Sequence, residues 1–226
     1  MGLTAYQDIL SKTKQSTDPE VNAQVRRVGE RIARAADRPD YKWEFKVIDD
    51  EKTVNAFCLP GGKVAVYTGI LPVAQNDSGL ATVLSHEVAH ALARHGGERI
   101  STGLLAEMGM LGLDAVLANQ GSSPEAIETI NAAYGMGAQA GVILPFSRTQ
   151  ESEADHIGLI LMAKAGYNPS AAIGFWERMS ATEKGSTRPP EFLSTHPGTG
   201  RRIDQIKAWL PEAEQYYRPD SKETKG

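Results

Sequence analysis

The sequence predicts an α+β domain, mainly helical, with one small sheet, and three observations carry the prediction. Apolar residues recur at three- and four-residue spacing over long stretches, as at Val21, Val25, Val28 and Ile32, the period of a helix with one buried face. Strand-like runs are short and confined to residues 43–68, where aromatic and β-branched residues alternate with others. The pentad His86-Glu87-Val88-Ala89-His90 stands inside one helical stretch, which sets two histidines one turn apart on one face.

In chain order, residues 3–16 and 19–37 read as two N-terminal helices within residues 1–40, the second ending before Pro39. Trp43 to Ile48 reads as a strand with Trp43, Phe45 and Val47 on one face. Thr53 to Leu59 and Lys63 to Thr68 flank Pro60-Gly61-Gly62 and read as a hairpin. The pentad helix is expected over 77–95, with Asp77 and Ser78 as N-cap residues and Gly96-Gly97 as its end. Further helices are expected at 101–118, 124–140, 145–165 and 169–182, then a loop from Lys184 to Pro190. A last helix is expected after Pro197, ending near Leu210, so residues 1–210 form one domain and 211–226 a polar tail.

The pentad is the strongest chemical signal. From this chain's His and Glu frequencies, one such pentad arises by chance in about 1% of sequences. His86 and His90 can offer two imidazole nitrogens to one Zn²⁺, and Glu87, next to the first, can reach the hydrolytic water instead. A third ligand is still needed. Ala93 and Gly96 stand where a metzincin needs Gly and His, which excludes that subclass. A carboxylate from a separate helix is the other common solution. Glu151 and Asp155 lie one turn apart on one face, while Glu153 points to the opposite side. The longer Glu arm suits the metal, and the Asp suits the outer N–H of a zinc histidine. An ordinary acidic helix face would read the same way.

The order of these blocks resembles the HtpX and CAAX-prenyl-protease type of zinc metallopeptidase, a gluzincin family. The resemblance rests on His86-Glu87-x-x-His90 and Ser147-Arg148-x-x-Glu151-x-Glu153-Ala154-Asp155. It extends upstream to Asn55 through Gly69 and downstream to Ser194-Thr195-His196-Pro197, with Arg202 six residues past that histidine. It covers most of residues 20–210 and looks closest to the soluble, envelope-facing, BepA-like bacterial branch. It implies a zincin-like fold with the hairpin packed on the pentad helix. It also implies one Zn²⁺ held by His86, His90 and Glu151, with Glu87 as general base. Cys58 departs from the small apolar residue expected at its position.

His196 enters through the late block, with two roles open. It can donate to the oxyanion that forms on the substrate carbonyl, or close onto the metal as an inhibitory fourth ligand. A loop histidine before a helix is the plainer account. His95 is expected to meet only the carbonyls of its helix end, and His156 to lie at the surface or behind a ligand.

Composition limits the partners. A net charge of −4 with both signs interspersed gives no basic face for nucleic acid. The single cysteine excludes a disulfide within the chain, and strand alternation turns Cys58 away from Asn55, as a small packing residue. Met1-Gly2-Leu3 runs into a polar stretch with no signal-peptide pattern and no context for myristoylation. Relatives of the envelope branch carry an export signal, so a periplasmic or envelope protein lacking its signal here is expected, with a cytoplasmic location as the alternative. Residues 103–144 are rich in Gly, Ala, Leu and Met but broken by Glu107 and Asp114, too short of about 18 uninterrupted apolar residues for a membrane span. They read either as a helical hairpin packed on the pentad helix or, over 101–144, as an amphipathic lid facing a membrane, a partner or the active-site mouth.

The expected function is zinc-dependent endopeptidase action on unfolded or misassembled proteins in envelope quality control. Substrate would add as a strand along the edge carrying Asn55, Ala56 and Phe57, with Asn55 on its main chain. One alternative is a zinc-binding chaperone with little proteolysis, against which Glu87 counts, because a structural site has no use for a base. The other is a zinc hydrolase of non-peptide substrates, against which the hairpin edge counts.

Overall fold

A computed structural model describes residues 2–98, 123, 146–184, 190–198 and 201–219. The helices expected at 101–118 and 124–140, and with them both readings of 101–144, lie outside the described residues.

Two helices open the chain, α1 (Gly2–Lys12) and α2 (Pro19–Ala36). Asp18 caps α2, its carboxylate accepting from Glu20 N at 2.8 Å and Val21 N at 3.2 Å; such a cap is worth about 1 kcal/mol. Proline at the first helical position surrenders only an N–H that would have no partner there. The apolar stripe Val25, Val28 and Ile32 is buried.

The sheet has strands β1 (Glu44–Ile48), β2 (Ala56–Leu59) and β3 (Lys63–Tyr67), in the order β1-β3-β2. β1 runs parallel to β3, and β2 pairs with β3 as the expected antiparallel hairpin. Gly61 and Gly62 turn it at φ +90° and +85°, a region that side chains with a Cβ disfavour. Trp43 and Phe45 stack with ring centroids 6.3 Å apart, on the face predicted for them. α1 covers β2 and β3 from another side, with Tyr6 buried and its hydroxyl donating to Val64 O at 3.1 Å. Among the described residues β2 is an edge strand.

After a 3-10 turn and the short α3 (Leu71–Ala74) comes the pentad helix α4 (Asp77–Leu92). Every residue from Gly79 to Ala91 is buried, the mark of a helix enclosed on all sides rather than amphipathic. Its start departs from expectation. Asn76 is the N-cap, accepting from Gly79 N at 3.0 Å, while Asp77 turns its carboxylate to Arg27 of α2 at 2.7 Å. Its end departs too: α4 stops at Leu92, because Arg94 adopts the left-handed conformation at φ +60°, before Gly96-Gly97 is reached.

α5 (Arg148–Lys164) begins with a capping box in which Ser147 and Gln150 satisfy each other's backbone N–H. It crosses α4 at Gly158, where a Cβ would sit 3.2 Å from His86 N. That close approach puts the α5 carboxylates beside the α4 histidines. α6 (Ala171–Lys184) follows. The stretch before Pro197, expected to be loop, contains the short helix α7 (Glu191–Thr195). α8 (Arg202–Glu214) runs past the expected end at Leu210 and through Pro211, its last turn anchored by buried Ala213.

Candidate metal centre

Four side chains converge where α4, α5 and the end of α7 meet. His86 and His90 present their Nε2 atoms 3.1 Å apart. Glu151 Oε1 lies 3.2 Å from His90 Nε2, and Glu151 Oε2 3.6 Å from His86 Nε2. His196, the residue capping α7, brings Nδ1 to 2.9 Å from Glu151 Oε1 and 3.3 Å from His86 Nε2. All four donor atoms lie within 4.8 Å of one another and all four residues are buried.

The residues fit zinc on two grounds. Zinc bonds of about 2.0–2.1 Å in a tetrahedron separate neighbouring ligand atoms by about 3.3 Å; four of the six separations among His86 Nε2, His90 Nε2, Glu151 Oε1 and His196 Nδ1 run from 2.9 to 3.3 Å, and the donor atoms all lie within 4.8 Å of one another. The charge balance agrees. Glu87, Glu151 and Asp155 are buried carboxylates faced by one buried guanidinium, Arg202, and buried charge without a partner is costly. One divalent cation balances the remainder. Two imidazoles, a carboxylate and a third imidazole are a zinc donor set, and zinc is the metal they hold.

The surroundings fix the ligands. Asp155 Oδ1 stands 2.9 Å from His86 Nδ1. Arg202 grips both acids, donating from Nε to Asp155 Oδ2 at 2.5 Å and from Nη2 to Glu151 Oε2. Its guanidinium lies 3.7 Å from the Trp176 ring centroid. Burial lowers the pKa of His90 to about 2, only partly offset by its bond to Glu151, so its nitrogen stays free to ligate. Burial would raise the Glu151 pKa, but hydrogen bonds from His196 and His90 pull it well below the usual carboxylate range.

Glu87 points from the same helix toward His196, its Oε1 3.4 Å from His196 Nε2. Burial raises its pKa above the ordinary carboxylate value, against the pull of the nearby histidines. Cys58 contributes a main-chain hydrogen bond to Glu87. Desolvation also pushes the Cys58 thiol far up, so it is not a thiolate at neutral pH; it packs against the core but, unlike the expected turn away from Asn55, also lines the cleft with that residue.

A cleft of about 530 Å³ runs from this cluster between α4 and the β2 edge, lined among others by Asn55, Phe57, Glu87, His90, Phe146 and His196. Tyr67 N donates to Asn55 O at 3.0 Å, so antiparallel alternation turns the N–H groups of Ala56 and Cys58 outward. Asn55 is already engaged: its Oδ1 accepts from Ala56 N at 2.9 Å and its Nδ2 donates to Glu191 Oε1 at 3.0 Å. With Phe192 N donating to Val54 O at 3.0 Å, these bonds hold α7, and His196 at its end, to the start of β2.

The structure thus brings together His86, Glu87, His90, Glu151, Asp155 and His196, and places Asn55, Ala56 and Phe57 along the same cleft. Three participants were not assigned from sequence. Arg202 was noted only for its spacing. Phe146 stacks on His90 at 3.9 Å. His95, expected to meet only helix-end carbonyls, is buried with Nδ1 2.9 Å from His90 Nδ1. His156 is partly exposed, 2.7 Å from Glu212 and stacked on Trp209.

The chain is 40% identical over 217 residues to the mitochondrial metalloendopeptidase OMA1 of Schizosaccharomyces pombe, covering 95% of this chain and 61% of that one. It is 41% identical over 184 residues to its Saccharomyces cerevisiae counterpart, covering 78% and 49%. It is 33% identical over 193 residues to a putative beta-barrel assembly-enhancing protease of Vibrio cholerae, covering 82% and 38%. The chain therefore spans between about two-fifths and three-fifths of these relatives' length. No described helix is long and apolar enough to cross a membrane. The match to peptidase family M48 runs over residues 19–210, from α2 through every element that supplies the metal cluster, and the chain belongs to that family.

Proposed function

We propose that the protein is a zinc endopeptidase that cleaves unfolded or misassembled polypeptides. The observation that carries this is the buried cluster of His86, His90, Glu151 and His196 opening onto a cleft beside β2, an edge strand among the described residues. Zinc, when bound, supplies a Lewis acid that polarises the scissile carbonyl and acidifies water. Glu87 takes the proton of the attacking water and hands it to the leaving amine; its burial makes it a stronger base than a surface carboxylate. Asp155 and Arg202 hold His86 and Glu151 in place. The extended substrate lies along β2, where main-chain pairing, made as Ala56 N exchanges its bond to Asn55 for a substrate carbonyl, gives affinity with little sequence preference. A folded protein cannot offer such a strand. Asn55 exchanges its bond to Glu191 for one to the substrate backbone.

His196 acts in this reading as a plug. Its Nδ1 stands among the ligand atoms, 2.9 Å from Glu151 Oε1 and 3.3 Å from His86 Nε2, and substrate has to displace it. The bacterial relative supports a place in envelope quality control, and the mitochondrial relatives a place in mitochondria. Fractionation of cells expressing the full-length protein separates the two.

One assay tests both substrate class and plug. The zinc-loaded protein is expected to degrade a reduced, alkylated protein while leaving its native form intact. His196→Ala is expected to raise that rate or admit further substrates. A drop of about 10²- to 10³-fold would instead assign His196 to oxyanion stabilisation. Equal cleavage of native and unfolded forms would remove the strand-addition reading.

A further inference from the structure

We infer that His95 and Glu153 are positioning residues that fix the tautomer of His90 so that its Nε2 faces the metal, an inference that rests on the zinc reading above. His90 directs Nε2 at the cluster, 3.1 Å from His86 Nε2 and 3.2 Å from Glu151 Oε1. Its other nitrogen faces His95 Nδ1 at 2.9 Å, and His95 Nε2 lies 3.3 Å from Glu153 Oε2.

Only one arrangement of protons satisfies this chain with both imidazoles neutral. A ligating Nε2 carries a lone pair, so His90 carries its proton on Nδ1. That N–H donates to His95 Nδ1, which must then be an acceptor. The His95 proton therefore sits on Nε2 and points at the Glu153 carboxylate. A negative group at the far end favours this direction over the reverse, and a ligand histidine so held is both oriented and more basic toward its metal. His86 receives the same service directly, from Asp155 at 2.9 Å. The three acids at alternate positions of α5, Glu151, Glu153 and Asp155, thus divide the work. One ligates, one stands behind His86, and one reaches His90 through an intervening imidazole.

The backbone explains how His95 gets there. Five residues past His90 on a continuous helix, a side chain points well away from it. The break after Leu92 and the left-handed Arg94 at φ +60° fold the chain back. His95 ends 2% exposed, whereas the Glu153 side chain is 53% exposed. Its place in the fold does not require a carboxylate, so Glu153 supplies a probe that leaves packing untouched.

The test is zinc affinity by competition with a chromophoric chelator, with the ¹⁵N signals of the ligand imidazoles as a second readout. His95→Leu is expected to weaken zinc by about 10- to 100-fold and to broaden or move the His90 Nδ1–H signal. His95→Asn, which can accept at the same place, should recover most of the affinity. Glu153→Gln should weaken zinc by a few-fold with an unchanged melting temperature of the zinc-free protein. If wild type, Glu153→Gln and whichever His95 variant folds bind zinc equally and keep the same His90 signal, the relay is wrong while the metal site stands. If wild type itself binds no zinc, the underlying reading fails instead.

Discussion

Glu87→Gln is expected to keep both the fold and the zinc while lowering turnover of an unfolded substrate by about 10²- to 10⁴-fold. The amide has the size of the carboxylate but cannot accept a proton. The fold should tolerate the change well. Glu87 is 3% exposed, its Oε1 has no hydrogen-bond partner, and burial raises its pKa. An acid whose pKa is raised in the folded state loses stability as pH rises past its unfolded value. A neutral amide removes that penalty, so the zinc-free variant should melt at or above the zinc-free wild type near neutral pH. Turnover and zinc content of one preparation, with the melting temperature of its zinc-free form, check all three points. A zinc-replete Gln variant working at the wild-type rate would take Glu87 out of the chemistry.

The carboxylates of α5 should separate by metal affinity. Glu151→Ala removes a ligand atom and leaves Arg202 without one of its two carboxylates in a buried site; loss of zinc is the expected result. Asp155→Ala leaves every ligand atom in place but removes the acceptor behind His86 and one of the two carboxylates that Arg202 holds, so zinc should weaken by about 10- to 100-fold. Arg202 keeps Glu151 in both position and charge in that variant. A zinc titration showing the reverse order would make Asp155 the ligand.

Much of this site was legible because its determinants are local. A four-residue spacing on a helix places His86 with His90 and Glu151 with Asp155 wherever the helix goes, and Pro60-Gly61-Gly62 marks the hairpin turn without tertiary information. The side of α5 that meets α4 was also readable, since only one face carries both the ligand and its neighbour. The cluster's other parts depend on how elements end and cross. Arg202 arrives from α8, about fifty residues beyond the acids it grips, and no periodicity reports that meeting. His95 was misjudged because the periodic signal ran on to Gly96-Gly97, whereas one left-handed residue, Arg94, stops the helix early. Asn55 was readable as an edge residue but not as a tie to Glu191, because α7 had no recognisable pattern in a stretch rich in turn residues. Cap choice failed for a related reason: both Asn76 and Asp77 can cap, and the salt bridge from Arg27 decides between them.

If one zinc ion in the His86–His90–Glu151 cluster carries the proposed peptide hydrolysis, cleavage must stop when that ion is removed. The most direct test follows cleavage of an unfolded substrate while zinc is removed by a strong chelator and then returned in stoichiometric amount. The expected result is loss of cleavage on removal, with the fold retained, and recovery at one equivalent of zinc per chain. Cleavage that continues in the demonstrably zinc-free protein would contradict it.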